Sequence, residues 1–480
     1  MRIGLADDPD PLDPTLARTF SGRIVFAALC DKLFDIGPEL EIVPQLATGW
    51  EWTDGNKGLI IRIRPGVKFQ DGEPLDAAAV KFSIERHLTM SGSTRKAEIS
   101  AVTNVEIIDD QTVKLVLSAP FSPLLAQLTD RAGMIVSPKA AQASGENFGS
   151  HPVCAGPFKF VERVAQDRIV VERFADYWDK DKIRLDPIIY LPIPDSTVRL
   201  ANLRSGGLDM IERVAANDLG TVREDPRLKL AATNGLGYSG IGINVANGKR
   251  SKMPLGQDAR VRQALELSID RMVFNQVVFN GEFEPGNQWV APSNPYYIKE
   301  FPIPARDVAK AKALLAAAAA PNPAIEMNVV NNPEDLQAAL VVQAMAKDAG
   351  FDLRIKALEL VSLIQLGVKG DFEAAMGGGW SGRTDPDGNI YNFRSCKAPP
   401  ELNATHYCNP EVDRELDAAR TVVDPAERLA HYRKAAEHIL QDRPGIYLYH
   451  PKWLWAFSNK LTGFVPLPDG LIRPQGLRLE

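Results

Sequence analysis

Residues 377–395 read GGGWSGRTDPDGNIYNFRS and set a tryptophan, an arginine and two aspartates behind three glycines. Asp385, Asp387 and Asn389 alternate as the oxygen ligands of a calcium loop do. The glycine and glutamate such a loop needs at its sixth and twelfth positions are absent, however, and Pro386 interrupts the run. As a hydrolytic carboxylate pair, Asp385 and Asp387 are too near in sequence to flank one substrate. Two readings remain. In a recognition loop, glycines let the backbone of residues 378–382 approach a ligand, Trp380 forms a wall and Arg383 grips an anion; in a plain turn, Asp-Pro and Asp-Gly merely reverse the chain.

Other chemistry is sparse. The chain has six histidines, and only His431 and His438 are near neighbours, two turns apart on a predicted helix and so too distant to share a metal without further ligands. There is no GxSxG elbow, no HExxH and no GxxxxGK[ST] phosphate loop, so neither an enzyme activity nor a cofactor is expected. The four cysteines form no CxxC or Cys/His cluster, and no metal site is expected from them. Cys396 and Cys408 flank the polar loop CKAPPELNATHYC and are either separate thiols or a bridge. Cys30 and Cys154, in apolar surroundings, are either buried structural thiols or a second bridge.

Composition narrows the class. At 480 residues and 45% hydrophobic content the chain supports two or three domains with extensive cores. Its 55 basic and 61 acidic side chains are interspersed, which argues against a nucleic-acid surface or a polybasic membrane anchor. No segment reaches the roughly 18–20 apolar residues of a membrane helix.

The elements that must position these residues read as mixed α/β. RIGLA is a short strand, and residues 22–35 carry apolar positions at helical spacing. LIIRIRPGVKF alternates before the turn QDGEPLD, and Asp76 is placed to cap the helix AAAVKFSIERHL. VEIIDDQTVKLVL and GPFKFVERVAQDRIVVERF each read as a hairpin. Later segments alternate strand and helix: DPIIYLPIP with DSTVRLANLRSG, and IEMNVVN with a helix opened by Pro333. AKAKALLAAAAAPNP is a helix ending at Pro321, DPAERLAHYRKAAEHILQ a helix begun by Asp424, and GIYLYHPKWLWAFS an aromatic strand.

Four segments together resemble the periplasmic solute-binding proteins of ABC importers for dipeptides, oligopeptides, nickel and opines. They are EIVPQLATGWEWTDGNKGLIIRIRPGVKFQDGEPLDAAAVKFSIER, AGPFKFVERVAQDRIVVERFADYWD, PDSTVRLANLRSGGLDM and GINVAN…PLGQDARVRQALELSIDRMVF. The resemblance covers essentially the whole chain. It implies the two-lobed periplasmic-binding-protein fold (type II) with an extra antiparallel α+β subdomain in the first lobe. The implied divisions are 1–33, 160–238 and 456–480 for the first lobe, 34–159 for the subdomain and 239–455 for the second lobe. It further implies a non-catalytic receptor, a monomer exported to the periplasm and relieved of its signal peptide, that closes on a solute and presents it to membrane permease subunits. Nickel or haem capture, an envelope chaperone and a chemotaxis co-receptor are alternatives on the same fold.

The resemblance also implies particular residues. The Cys396–Cys408 spacing is similar to a loop disulfide of dipeptide-binding members. In those members a GWTGD stretch sets an aspartate against the ligand's α-ammonium group, and Arg383 holds the matching position here, a reversal of charge. The arginine that receives the dipeptide carboxylate falls near Asn331 and Asn332. Both ends of the dipeptide clamp are therefore replaced, which points to an anionic, opine-like or otherwise non-dipeptide solute, unless Arg383 turns away to pair with Asp385 or Asp387. The expected binding set is Thr19, Phe20 and Ser21 from the first lobe, with Asn331, Asn332, Gly379, Trp380, Ser381, Gly382, Arg383 and Asp385 from the second.

Overall fold

The computed structural model describes residues 1–377, 379–400 and 402–480. The chain forms two compact units, Met1–Thr233 with Trp453–Glu480, and Asn234–Lys452.

The first unit is built on a seven-stranded mixed sheet. Arg2–Leu5 lies at its centre, parallel to both Ile188–Pro192 and Met210–Ile211. The hairpin Phe158–Val164 and Arg168–Arg173 extends one side, and Lys452–Ser458 adds antiparallel to Met210–Ile211 on the other. A second layer of hydrophobic packing stands apart from this sheet. The strands Ala47–Thr53, Gly58–Ile63, Thr112–Leu117 and Val102–Asp109 form an antiparallel sheet whose inward residues, Leu59, Ile61, Val113 and Leu115 among them, are fully buried with Val80 and Ile84 of the helix Ala77–Thr89. Alternation of buried and half-exposed residues along TVKLVL is the pattern of a sheet with one covered face. Asp76 caps the helix by accepting from Ala79 N, as its position before the apolar run predicts.

One expected helix is shorter than its pattern. Apolar spacing suggests residues 22–35, whereas the helix spans Phe20–Leu29 with Thr19 as its N-cap. Cys30 is bridged to Cys154, and Phe34–Ile36 leaves as a strand paired to Ile42–Pro44. Periodicity cannot register a covalent anchor of this kind.

The second unit has a six-stranded sheet in which Ala324–Val330 lies between two parallel neighbours, Asp352–Leu358 and Ala374–Met376. Ser239–Ile243 and Gly445–His450 continue it antiparallel. The carboxyl ends of the three parallel strands deliver the chain to Asn331, Glu359 and Gly377, the edge where open α/β sheets place their ligand-reading loops. Pro333 starts the helix Pro333–Lys347 and Pro425 the helix Pro425–Asp442, the latter capped by Asp424. The alanine-rich helix closes at Ala317, before Pro321.

GIYLYHPKWLWAFS, read as one strand, is two. Gly445–His450 belongs to the second unit's sheet and Lys452–Ser458 to the first unit's, with Pro451 between them. Proline offers no N–H to a ladder, so pairing is interrupted there.

Candidate functional site

In the second unit the loop is organised around a residue that sequence reasoning did not select. Asn389 is 1% exposed, on the first turn of the helix Asp387–Arg394. Its Oδ1 accepts from Trp380 Nε1 at 3.0 Å and from Arg383 N at 2.8 Å, while its Nδ2 donates to the Leu236 carbonyl at 3.0 Å. The carboxamide thus uses both of its ends inside the loop, which a buried amide must do to avoid a desolvation cost. Tyr238 reinforces it, exchanging backbone hydrogen bonds with Trp380 at 2.8 and 3.0 Å and donating its hydroxyl to the Asn389 carbonyl at 3.2 Å.

Arg383 is 7% exposed. Its guanidinium lies 4.7 Å from the centre of the Trp380 ring, and Nη1 donates to the Gly382 carbonyl at 2.9 Å. Its methylenes cross Gly388, where a Cβ would come within 2.5 Å of Arg383 Cγ. Gly382 is required for a second reason: its φ is 87°, and a side chain there would strike the Leu236 backbone, with which it forms a bridge. Trp380 also meets Phe393 edge to face at 4.8 Å.

The aspartates of the loop are both held by arginines. Asp385 receives both Nη1 and Nη2 of Arg428 at 2.8 Å, and Asp387 receives Nε and Nη2 of Arg420 at 2.7 and 2.9 Å. Burial opposes the charge on Arg428, but the Asp385 carboxylate outweighs it and raises the guanidinium's pKa. Burial likewise raises the Asp387 carboxyl, with Arg420 opposing. Asp385, expected in the binding set, is engaged within the unit by Arg428, and Asp387 by Arg420, so each carboxylate ties the loop to a neighbouring helix. Both aspartates that chain order offers Arg383 as partners are thus gripped by other arginines. Asp385 Oδ1 also accepts from Asp387 N at 2.9 Å, so DPDG begins a helix.

Asn332 is engaged locally. It caps the Pro333 helix, accepting from Asp335 N at 2.8 Å and donating to Asp335 Oδ2 at 2.7 Å. Asn331 is exposed beside it, at the end of the central strand. Asp335 in turn packs against Gly377, which brings the start of the loop to this cap. Gly379 is exposed with φ 47° and Ser381 half-buried. Gly378, part of the expected recognition backbone, lies outside the described residues.

The first unit places its three expected residues at one helix start. Thr19 Oγ1 accepts from Gly22 N at 3.2 Å and donates to Asp10 Oδ1 at 2.7 Å. Phe20 stacks on Trp453, centroids 4.3 Å apart at 11°, with the Arg213 guanidinium 5.0 Å from the Phe20 ring. Ser21 is fully buried and its hydroxyl has no hydrogen-bond partner among the described residues.

All four cysteines are bridged, Cys30 to Cys154 and Cys396 to Cys408. Among the described residues no three His, Cys, Asp or Glu side chains gather as a metal site would require, and no helix is long and apolar enough to cross a membrane.

These sheets and loops define the two-lobed fold of the periplasmic binding proteins. Solved structures with that fold superpose closely. The PBP AgaA from A. tumefacien R10, in complex with agropinic acid, matches at a TM-score of 0.90 with 27% identity, covering 100% of this chain and 98% of the other. The periplasmic binding protein DppA from Helicobacter pylori, in complex with the peptide STSA, matches at 0.91 with 25% identity and the same coverage. Residues 41–400 match the bacterial extracellular solute-binding proteins, family 5 Middle, and the chain belongs to that family of ABC-importer receptors. Among relatives, the glutathione-binding protein GsiB of Salmonella typhi is 30% identical over 468 residues, 95% of this chain and 90% of its own length. That of Pectobacterium atrosepticum is 29% identical over 477 residues, 96% and 90% respectively.

Proposed function

We propose that this receptor captures an acidic, peptide-like or opine-like solute in the periplasm, binds it without catalysis and passes it to membrane permease subunits. The observation that carries the solute class is Arg383: a buried guanidinium over the Trp380 ring, its backbone N–H held by Asn389, at the position that the resemblance matches to an aspartate of dipeptide-binding members. A desolvated guanidinium repels an ammonium group and favours a carboxylate, which it grips in two places. The glutathione-binding relatives and the AgaA complex with agropinic acid, both acidic ligands, support the same class.

The recognising set proposed here is Trp380, Arg383 and the backbone about Gly379, Ser381 and Gly382 in the second unit, with Phe20 and Ser21 in the first and Asn331 at its strand end. Asn332, Thr19 and Asp385 hold these groups in place. Residues 34–159 serve as an added subdomain, a reading supported by their own antiparallel sheet and buried core. Two disulfides fit an oxidising compartment.

Titration of glutathione and agropinic acid into the wild-type protein, followed by thermal shift and calorimetry, tests the reading. Binding of either acid, reduced on the order of tenfold or more by Arg383→Ala, is expected. An unchanged affinity in that variant removes Arg383 from recognition.

A further inference from the structure

Within the first unit the Asp31 carboxylate is met by three donors. Its Oδ1 accepts from Gln45 Nε2 at 3.0 Å, and its Oδ2 from the Tyr177 hydroxyl at 3.0 Å and Trp178 Nε1 at 2.7 Å. Beside it lies an ionic cluster. Lys32 Nζ donates to Asp35 Oδ1 at 2.6 Å, and Arg473 donates twice to Asp35 and twice to Asp469, at 2.7 and 3.0 Å in each case. Asp31 is 1% exposed, and all four of the others are at most 17% exposed at the side chain.

Three carboxylates thus stand with two cations, and a buried charge without a counter-charge is costly. Burial opposes the charges on Asp35 and Asp469, but Arg473 outweighs it and holds both carboxyls below the usual range. The deficit falls on Asp31. Burial pushes its carboxyl up to about 7, with Trp178, Tyr177 and Lys32 opposing and Asp35 adding to the rise. Asp179, paired with Lys182 at 2.9 Å, faces Tyr177, and the Arg64 guanidinium lies 4.0 Å from the centre of the Trp178 ring.

A proton on Asp31 needs an acceptor, and one of the three donors can become one. The indole N–H of Trp178 only donates. Gln45 is fixed, because its Oε1 accepts from Lys32 N at 2.8 Å while its Nε2 meets Asp31. The Tyr177 hydroxyl is free to turn, and burial with the neighbouring Asp31 carboxylate keeps it protonated. It accepts from Gln475 Nε2 at 3.4 Å, and Gln475 Oε1 is buried without a partner among the described residues. Half a turn of the Gln475 amide presents Oε1 to the hydroxyl, and the chain of hydrogen bonds then runs from Asp31 through Tyr177 to Gln475.

We propose that Asp31, Tyr177 and Gln475 form a proton-operated switch. With Asp31 ionised the hydrogen bonds run from Gln475 to the carboxylate; with Asp31 protonated they run back, which balances the buried charge and tightens the hold of residues 469–477 on the first unit. The device lies within one unit and works whichever solute the receptor binds.

Hydrogen exchange of the intact protein, corrected for the intrinsic pH dependence of amides, tests it at Gly476 and Leu477, whose N–H groups are held by the Lys182 and Pro474 carbonyls. The folded unit binds the Asp31 proton more tightly than the opened segment does. Opening should therefore rise on the order of tenfold per pH unit from about 5.5 and level off above about 7. Asp31→Asn should make opening independent of pH over that range. Gln475→Met, which removes the acceptor of the reversed chain, should move the levelling point to lower pH. If circular dichroism shows Asp31→Asn unfolded, Trp178 emission of the wild type, taken as the difference from Trp178→Phe, should change with its midpoint at about 7. A wild-type opening or Trp178 emission that is flat over this range, or a slope that Asp31→Asn retains, overturns the switch. An unchanged levelling point in Gln475→Met overturns the reversal through Gln475.

Discussion

Arg428 holds the Asp385 carboxylate with both terminal nitrogens at 2.8 Å, in a pair 6% and 12% exposed at the side chain. This pairing joins the loop of residues 377–395 to the long helix Pro425–Asp442, and a parallel pair, Asp387 with Arg420, joins it to the helix Pro410–Thr421. The loop is therefore braced from outside by two helices and organised from inside by Asn389.

Breaking the outer brace should destabilise the second unit. Arg428→Met leaves Asp385 buried without its counter-charge, and a loss of about 3–5 kcal/mol in urea unfolding is expected. Replacing both partners together should cost much less, because no uncompensated charge then remains. A double variant as unstable as the single one would refute this account.

The inner support should govern binding more than stability. Asn389→Asp keeps the acceptor for Trp380 and Arg383 but loses the donor to the Leu236 carbonyl and places a carboxylate beside that oxygen. A stability loss of about 1–3 kcal/mol, with altered Trp380 emission and weaker binding of the acidic probe, is expected. Asn389→Ala should alter the emission further, since the indole N–H then loses its acceptor.

Acid should weaken the fold through two buried histidines. His450 Nδ1 lies 2.8 Å from the Gly237 carbonyl and donates to it, so a proton must go to Nε2, which is buried and without a partner among the described residues. Burial holds its pKa down to about 4, the Gly237 hydrogen bond opposing. The unfolded chain binds this proton more readily, so the contribution is complete above about 6.5 and is lost as pH falls toward 4, by about 3 kcal/mol. His87, held down to about 3, acts in the same direction in the first unit. Asp31, pushed up to about 7 by burial, acts oppositely: its contribution is present at low pH and lost as pH rises through that value. Urea midpoints from pH 7 to 4.5 should fall, and His450→Gln should reduce the slope.

Thiol titration of unreduced, denatured protein should find no free cysteine. Cys396→Ser with Cys408→Ser, which opens a loop of sequence separation 12, should cost about 3 kcal/mol, chiefly by freeing the unfolded chain. Detection of two or more thiols would contradict the pairing.

Much of this is legible in the amino-acid order alone. The hairpins Val102–Leu117 and Phe158–Arg173, the caps Asp76 and Asp424 and the helix start at Pro333 follow from local rules, in which a residue's neighbours along the chain decide its conformation. The glycines, Trp380 and Arg383 mark the loop because types that permit close approach stand beside types that grip ligands. Asn389 gives only a weak signal, an oxygen at calcium-loop spacing, which says nothing of its bonds to Trp380, Arg383 and Leu236.

What the sequence by itself determined was the family and the alternation of strands and helices, both carried by residue type and near-neighbour order. The tertiary structure decided the partners. Asp385 and Asp387 lie next to Arg383 in the chain, yet Arg428 and Arg420 hold them from helices 43 and 33 residues away. Ion pairing in a buried setting depends on which side chains packing brings within 3 Å and shields from water, and chain order does not encode that distance.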